Sequence, residues 1–101
     1  MTKIKIKKDN DQINEIEIKG HSGYDEFGRD IVCASVSTMT ITTINAIIRY
    51  DETSISYNQD EGLVKLVVLK HSEVVDMLLL NLISLLKELE EQYSKYVKIY
   101  E

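Results

Sequence analysis

The sequence contains no proline and no tryptophan, and only one cysteine and four glycines among its 101 residues. A single cysteine excludes an internal disulfide, and one cysteine with two separated histidines excludes a recognisable zinc site. We therefore expect no metal and no other cofactor. A chain without disulfides suits a reducing compartment, so we expect a cytoplasmic protein. Because proline is absent, Asp, Asn, Ser and Gly mark the turns and helix starts.

Positive charge and long apolar runs are also scarce. Twelve Lys and Arg residues stand against 17 Asp and Glu residues, which gives a net charge of −5. Nucleic-acid-binding proteins are usually basic, so we expect no direct contact with nucleic acid. No apolar run is longer than the one at residues 77–80, which is far too short to span a membrane. The length predicts a single domain over residues 1–101.

Apolar and polar residues alternate in several segments, which is typical of β-strands with one buried face. At the start of the chain, isoleucines alternate with lysines, and this strand should pair with the next one as a hairpin. A second hairpin and a last short strand follow later in the chain. The predicted strands are 3–8, a second strand with Ile13, Ile16 and Ile18, then 53–57, 63–69 and 96–100, with a turn at 9–11 and a loop at 58–62.

Two longer segments show the spacing of helices. The first covers about residues 31–50 and follows Asp30, a residue type that caps helix N-termini. The second covers about residues 72–95, with Ser72 as its cap. Its apolar residues lie on more than one face, which indicates either deep burial or an additional contact with a second subunit, and we expect a homodimer. The prediction is an α+β fold with two helices packed on one mostly antiparallel sheet, in the order β-β-α-β-β-α-β.

Three of the four glycines lie in one short segment. Gly20, Gly23 and Gly28 fall in a loop predicted over residues 20–29, which also contains His21. A loop of this length inside a small domain is more often functional than idle. The segment is therefore a candidate functional loop.

The one cysteine follows this loop directly. If Asp30 caps the helix, Cys33 lies in the first helical turn, where free N–H groups and the helix dipole favour a thiolate and help to hold an oxyanion. With His21 as the base for this thiol, the pair has the minimum equipment of a cysteine protease. The simpler alternative is that Cys33 is a small buried apolar residue and His21 a surface residue. The other histidine, His71, has no nearby thiol and is expected at the surface.

The residues around His21 and Cys33 also carry a family resemblance. The chain contains Gly20-His21, then Gly28, then the run DIVCA at residues 30–34, and then Ser37. This pattern resembles the ribosomal-processing cysteine protease family, called Prp, and the order of elements fits over essentially the whole chain. The resemblance implies an α+β homodimer with a His/Cys dyad. It also implies removal of a short N-terminal extension from a large-subunit bacterial ribosomal protein, after an aromatic residue.

The resemblance further implies roles for single residues. Cys33 is the nucleophile and His21 the general base. Asp30 either caps the helix or orients His21 or the substrate. Ser37 lies one helical turn after Cys33 and either lines the site or is an ordinary surface hydroxyl. The two glycines after His21 are expected to let the loop open for a peptide and close over it.

Two other functions stay open at this point. One is a non-catalytic, ribosome-associated binding protein in which Cys33 is structural or redox-responsive. A thiol that resists alkylation at neutral pH would favour it. The other is a dimeric RNA-binding protein that uses Lys3, Lys5, Lys7 and Lys8, although these lysines more simply form a solvated strand face. A steeply salt-dependent affinity for RNA would favour this second alternative.

Overall fold

The computed structural model describes the backbone of residues 1–20 and 27–101, and the side chains of residues 1–20 and 31–101. Over these residues, the strands and helices follow the predicted order β-β-α-β-β-α-β, which confirms the α+β class. The elements are β1 Thr2–Asp9, β2 Gln12–Lys19, α1 Phe27–Tyr50, β3 Ile55–Asp60, β4 Leu63–Val68, α2 Glu73–Gln92 and β5 Val97–Tyr100.

The strands form one sheet in the order β3-β4-β2-β1-β5. Three neighbouring pairs are antiparallel, and β1 with β5 is the one parallel pair within the described ranges. A parallel pair needs a long crossover connection, which here includes both helices and the second hairpin. The crossover places Thr2 at the start of β1 beside Val97 at the start of β5.

Both hairpins turn tightly. The first turns through Asn10 and Asp11, whose φ angles of 52° and 66° lie in the left-handed region that two-residue hairpin turns require. The predicted second hairpin is confirmed, but its loop is shorter than the predicted residues 58–62, because β3 continues to Asp60 and leaves only two residues between the strands. Gly62, with a φ of 73°, supplies the left-handed residue that closes so short a turn.

A β-bulge interrupts the first hairpin. Lys7 pairs with Glu15, but the next residue, Lys8, pairs with Ile13, so Asn14 is an extra residue on β2. Because side chains alternate between the faces of a strand, one extra residue reverses the alternation. The bulge explains how isoleucines three positions apart on β2 are both buried.

His71 contacts this bulge and is partly buried, contrary to the expectation of a plain surface residue. Its Nε2 lies 3.1 Å from Oδ1 of Asn14, and its Nδ1 lies 2.9 Å from Oδ1 of Asp76. The imidazole therefore joins β2 to the first turn of α2.

The core lies between the sheet and the helices, and α2 follows its prediction closely. Ser72 caps α2, since its hydroxyl accepts a hydrogen bond from the N–H of Val75 at 3.1 Å. The helix ends at Gln92, three residues before the predicted end, because Tyr93 leaves the helical conformation and begins the turn into β5. The large apolar side chains with the lowest exposure are Ile4, Ile16, Ile47, Leu66, Leu79, Leu82 and Leu86.

The other helix, α1, begins four residues earlier than predicted. Its backbone is helical from Phe27, so Asp30 is the fourth helical residue and not the N-cap. Gly28, predicted in the loop, is also helical. A single glycine weakens a helix without ending it, and an acidic residue in the first turn suits the helix dipole. No proline stops the helix from extending backwards.

Most of α1 is uncharged. Residues 31–48 contain no charged side chain. Over Ile31–Tyr50 the helix is long and apolar enough, by length and composition alone, to cross a membrane, a test that core helices of soluble proteins also pass. Val36 and Ile47 pack into the core, whereas Ile41 is exposed. The same helix thus has a buried apolar face and an outward face that over residues 31–48 is uncharged but largely polar.

Candidate active site

Cys33 is the seventh residue of α1, in its second turn, and its side chain is partly buried. It borders a cavity of about 290 Å³ between α1 and the adjoining end of the sheet. The lining residues are Thr2, Ile18, Gly20, Cys33, Val36, Ser37, Gln59, Asp60, Glu61, Gly62, Leu63 and Val64. The thiol therefore faces a recess near the lower size limit of ligand pockets.

Thr2 provides a polar contact to the thiol. Its Oγ1 lies 3.7 Å from Sγ of Cys33, and either atom is able to donate the hydrogen bond. Thr2 is only 6% exposed, and its backbone N–H donates to the carbonyl of Tyr96 at 2.8 Å. The hydroxyl is thus held beside the sulfur by the pairing of β1 with the chain that leads into β5.

Gly20 joins three segments at the edge of this cavity. Its N–H donates to the carbonyl of Gly62 at 3.0 Å, which ties the end of β2 to the turn of the second hairpin. A Cβ at this position would lie 2.7 Å from Cα of Thr2 and 2.8 Å from the carbonyl oxygen of Met1. Real Cβ atoms do not approach backbone so closely, so only glycine allows the start of β1 to pass here.

Ser37 is the third predicted site residue that the structure brings to the cavity. It lies four residues after Cys33 on the same face of α1, and its side chain is exposed. Gly20, Cys33 and Ser37 therefore border one recess, although they come from two elements.

The remaining predicted site residues are described in part or not at all. His21 and Gly23 lie outside the described residues. Gly28 and Asp30 are described only by their helical backbone. The predicted pairing of Cys33 with His21 therefore stays a prediction.

The earlier start of α1 corrects one part of the predicted chemistry. The free N–H groups of a helix belong to its first four residues, which here are residues 27–30. Cys33 lies beyond them, so it is not one of the first three helical residues as predicted. The free N–H groups of the first turn therefore do not support the predicted oxyanion hole at Cys33.

Sequence reasoning missed Thr2 and the second hairpin as walls of the site. The contact of Thr2 with Cys33 spans 31 residues and depends on the strand order, which alternation does not specify. The one available signal was that Thr2 shares the face of Ile4 and Ile6 in an alternating strand. Among the described residues, no group of three or more His, Cys, Asp or Glu is placed to hold a metal ion.

The comparisons with known proteins agree with each other. The family described as cysteine protease Prp matches residues 1–98. The ribosomal processing cysteine protease Prp of Staphylococcus aureus (strain Mu50) is 26% identical over 94 residues, which cover 90% of this chain and 89% of the relative. The crystal structure of the essential S. aureus ribosomal processing protease Prp with a substrate peptide has a TM-score of 0.91 at 23% identity, with 100% of both chains covered. A Streptococcus mutans protein has a TM-score of 0.87 at 26% identity, over 99% of this chain and 92% of the other.

Proposed function

Because the chain belongs to the cysteine protease Prp family, which matches residues 1–98, we propose that it removes the N-terminal extension of a large-subunit ribosomal protein. The related S. aureus protein is a ribosomal processing protease. The observation that carries the proposal is the family match over nearly the whole chain, with the single cysteine at an open recess.

In the proposed reaction, Cys33 is the nucleophile and His21 the base. His21 takes the proton of the thiol, and the sulfur attacks the carbonyl carbon of the scissile peptide bond. The C–N bond then breaks, and the departing amine takes the proton from His21, which leaves a thioester on Cys33. Water gives a proton to His21 as its oxygen attacks the carbonyl carbon of the thioester. The C–S bond then breaks, the proton passes from His21 to the sulfur, and the cleaved extension leaves with a new C-terminal carboxyl group. Atoms and electrons balance without a cofactor.

The described neighbours of Cys33 support this role. A thiolate has no proton to give, so in the ionised state the Thr2 hydroxyl donates to the sulfur. Gly20, the residue before His21, lines the same recess as the thiol. The chain therefore leaves β2 at the rim of the recess and continues into the segment that contains the proposed base.

Three further residues have predicted supporting roles, and the structure bears on two of them. Asp30 is not the N-cap of α1, so its proposed role is to orient His21 or the substrate. Ser37 borders the bound peptide, because it lines the recess one turn beyond Cys33. Gly23 lies outside the described residues, and its role stays as predicted.

We also propose that the protein is a cytoplasmic homodimer in which the outward faces of the helices meet. Ile41 is exposed on the uncharged part of α1, and Leu85 is exposed on α2. A groove between the two helices is lined by side chains that include Met39, Leu85 and Leu89. A second copy with the same surface would cover this groove through a two-fold axis.

The dimer is tested by light scattering coupled to size-exclusion chromatography. We expect a dimer mass for the wild type and a monomer for Ile41→Glu. Leu69→Glu is the matched control, since Leu69 is also exposed but lies at the end of β4. A monomeric wild type at micromolar concentration, or equal dissociation of both variants, would contradict the interface.

The protease is tested with a peptide that contains the N-terminal extension, with mass spectrometry to locate the cut. We expect one cut after an aromatic residue, made by the wild type and absent in Cys33→Ala and His21→Ala. His71→Ala is the matched control for the histidine and should still cut, because His71 contacts Asn14 and Asp76. Cleavage by Cys33→Ala would refute the dyad. A peptide that is bound but uncut by the wild type would favour the non-catalytic binding protein.

A further inference from the structure

The open face of the sheet carries three lysines side by side. Lys3 on β1 is in register with Lys19 on β2 and, on its other side, with Lys98 on β5. Neighbouring strands lie about 4.8 Å apart, so the three side chains leave the sheet from adjacent positions. We call Lys19, Lys3 and Lys98 the lysine row. Like charges directly opposite one another destabilise a sheet, so stability does not explain the row.

The other lysines of this face lie beside acidic residues. Glu15 forms ion pairs with Lys7 at 3.1 Å and with Lys65 at 3.6 Å, and these contacts, led by the Lys7 hydrogen bond, hold the pKa of Glu15 below its ordinary value. Glu17 lies in register between Lys5 and Lys65. Within the described parts of the chain, by contrast, no ion pair involves the lysine row. The row thus presents three positive charges that no described residue neutralises.

The face also offers an aromatic surface and a groove. Tyr100 on β5 is in register with Lys5 and is 43% exposed. A groove of about 380 Å³ runs over this part of the sheet, with Lys3, Lys19 and Tyr100 in its lining. Gly20 lines both this groove and the cavity of Cys33. A ligand in the groove would therefore lie next to the proposed active site.

The charges of the chain are distributed unevenly between the two sides of the sheet. By strand register, the open face carries six lysines against the acidic residues Asp9, Glu15, Glu17 and Asp60, which leaves a local charge of +2. The acidic residues of α2 lie in the helical layer on the other side of the sheet. The expectation of no nucleic-acid contact rested on the net charge of −5, which does not describe this separation.

We propose that the lysine row and Tyr100 bind the phosphate backbone of single-stranded RNA. Lysines are point charges that bind phosphates without reading sequence. An exposed aromatic side chain stacks with an unpaired base, as in other single-strand binding surfaces. An acidic peptide would match the charge of the lysines but has no base to stack on Tyr100. The surface therefore favours RNA. This binding goes beyond proteolysis and does not depend on it.

The test measures fluorescence anisotropy of a labelled 12-nucleotide oligouridine RNA with the full chain. Each phosphate contact on a single strand contributes a slope of about −0.7 in log affinity against log salt, so three contacts predict a slope of about −2. Affinity should thus fall roughly 20-fold between 50 and 200 mM salt. The triple variant Lys3→Gln, Lys19→Gln, Lys98→Gln should lose most binding and most of the slope. Tyr100→Leu should weaken binding about fivefold or more with the slope kept.

The matched control removes the same charge elsewhere. Lys8, Lys70 and Lys87 each have an ion pair, with Glu101 or Asp51. The triple variant Lys8→Gln, Lys70→Gln, Lys87→Gln should keep RNA affinity within about twofold, since it retains all three proposed phosphate contacts of the lysine row. Thermal unfolding should give the lysine-row variant an equal or higher Tm, because repulsion is relieved.

Three results would overturn the proposal. The first is no wild-type binding at 25 mM salt. The second is an equal loss in both triple variants, which would mean that only net charge matters. The third is displacement of the RNA by an equal concentration of a glutamate-rich peptide of the same length, which would identify an acidic polypeptide as the partner. Peptide cleavage is measured separately, so its failure does not bear on this result.

Discussion

Asp51, just after α1, and Cys33, near the start of α1, differ in their described polar contacts; we call these two regions the closed end and the open end of the helix. At the closed end, after Tyr50, the carboxylate of Asp51 accepts from the N–H and hydroxyl of Thr53 at 3.0 and 2.6 Å and from Nζ of Lys70 at 2.9 Å. At the open end, the thiol of Cys33 has a single described polar contact, 3.7 Å long, and borders a cavity. The closed end holds its carboxylate in three hydrogen bonds, while the open end leaves a partly buried thiol beside a cavity. Proteins commonly depart from full satisfaction of their polar groups at functional sites.

Removal of the key side chain at each end tests this difference most directly. Cys33→Ala should lower kcat/KM for the extension peptide by more than about a thousandfold, with little change in Tm. Asp51→Ala should lower Tm, because Thr53 and Lys70 lose their acceptor, and should leave cleavage nearly unchanged. Peptide cleavage and thermal unfolding of both variants check this. A large loss of activity in Asp51→Ala would show that the two ends are coupled.

Gly20→Ala tests the backbone geometry of the open end. The new methyl group would lie 2.7 Å from Cα of Thr2, so the start of β1 has to move. We expect a loss of about 1–3 kcal/mol in the free energy of unfolding and a clear drop in cleavage. Urea denaturation and peptide cleavage measure the two effects. Lys19→Ala, one residue earlier on the open face, is the control and should change neither by a comparable amount.

Thr2→Val tests the contact to the sulfur with nearly unchanged shape. Loss of the donor to the thiolate should slow alkylation of Cys33 by iodoacetamide at neutral pH roughly fivefold, equivalent to about 1 kcal/mol. Thr2→Ser keeps the hydroxyl and should restore the rate. Equal rates in wild type and Thr2→Val would mean that the hydroxyl does not act on the sulfur.

Acid should weaken the closed end, with the smallest effect of the four. The hydrogen bonds from Thr53 and Lys70 hold the pKa of Asp51 well below its ordinary value of 3.8. A depressed pKa in the folded state stabilises the fold above the unfolded value and loses that effect as the pH falls further. The Tm difference between wild type and Asp51→Asn should therefore shrink as the pH falls below about 4. A difference that is constant with pH would contradict this role of Asp51.

The closed end and the core were largely predictable, because local patterns determine them. Ser72 caps α2 as expected, and alternation identified the strands. The start of α1 was not predictable in the same way, since Gly28 was interpreted as a loop residue although a single glycine does not end a helix. The bulge at Asn14 was missed because an extra residue is visible only when two strands are paired.

The open end was predictable in its chemistry but not in its surroundings. Cys33, Gly20 and Ser37 were identified from composition and family resemblance, and the structure places them at one cavity. Thr2 was not identified, because its contact with Cys33 joins distant parts of the chain. The lysine row was missed for the same reason, since Lys98 reaches Lys3 only through the parallel pairing of β1 with β5.

That parallel pairing also sets the order in which the site is completed. Thr2, the residue that contacts the sulfur of Cys33, is held by the carbonyl of Tyr96 and lies beside Val97. During synthesis the chain emerges from its N-terminus, so these partners of Thr2 are made long after Thr2 itself. The surroundings of the thiol therefore remain unfinished until β5 has been synthesised. An enzyme of this topology carries a built-in delay between the making of its cysteine and the assembly of its site.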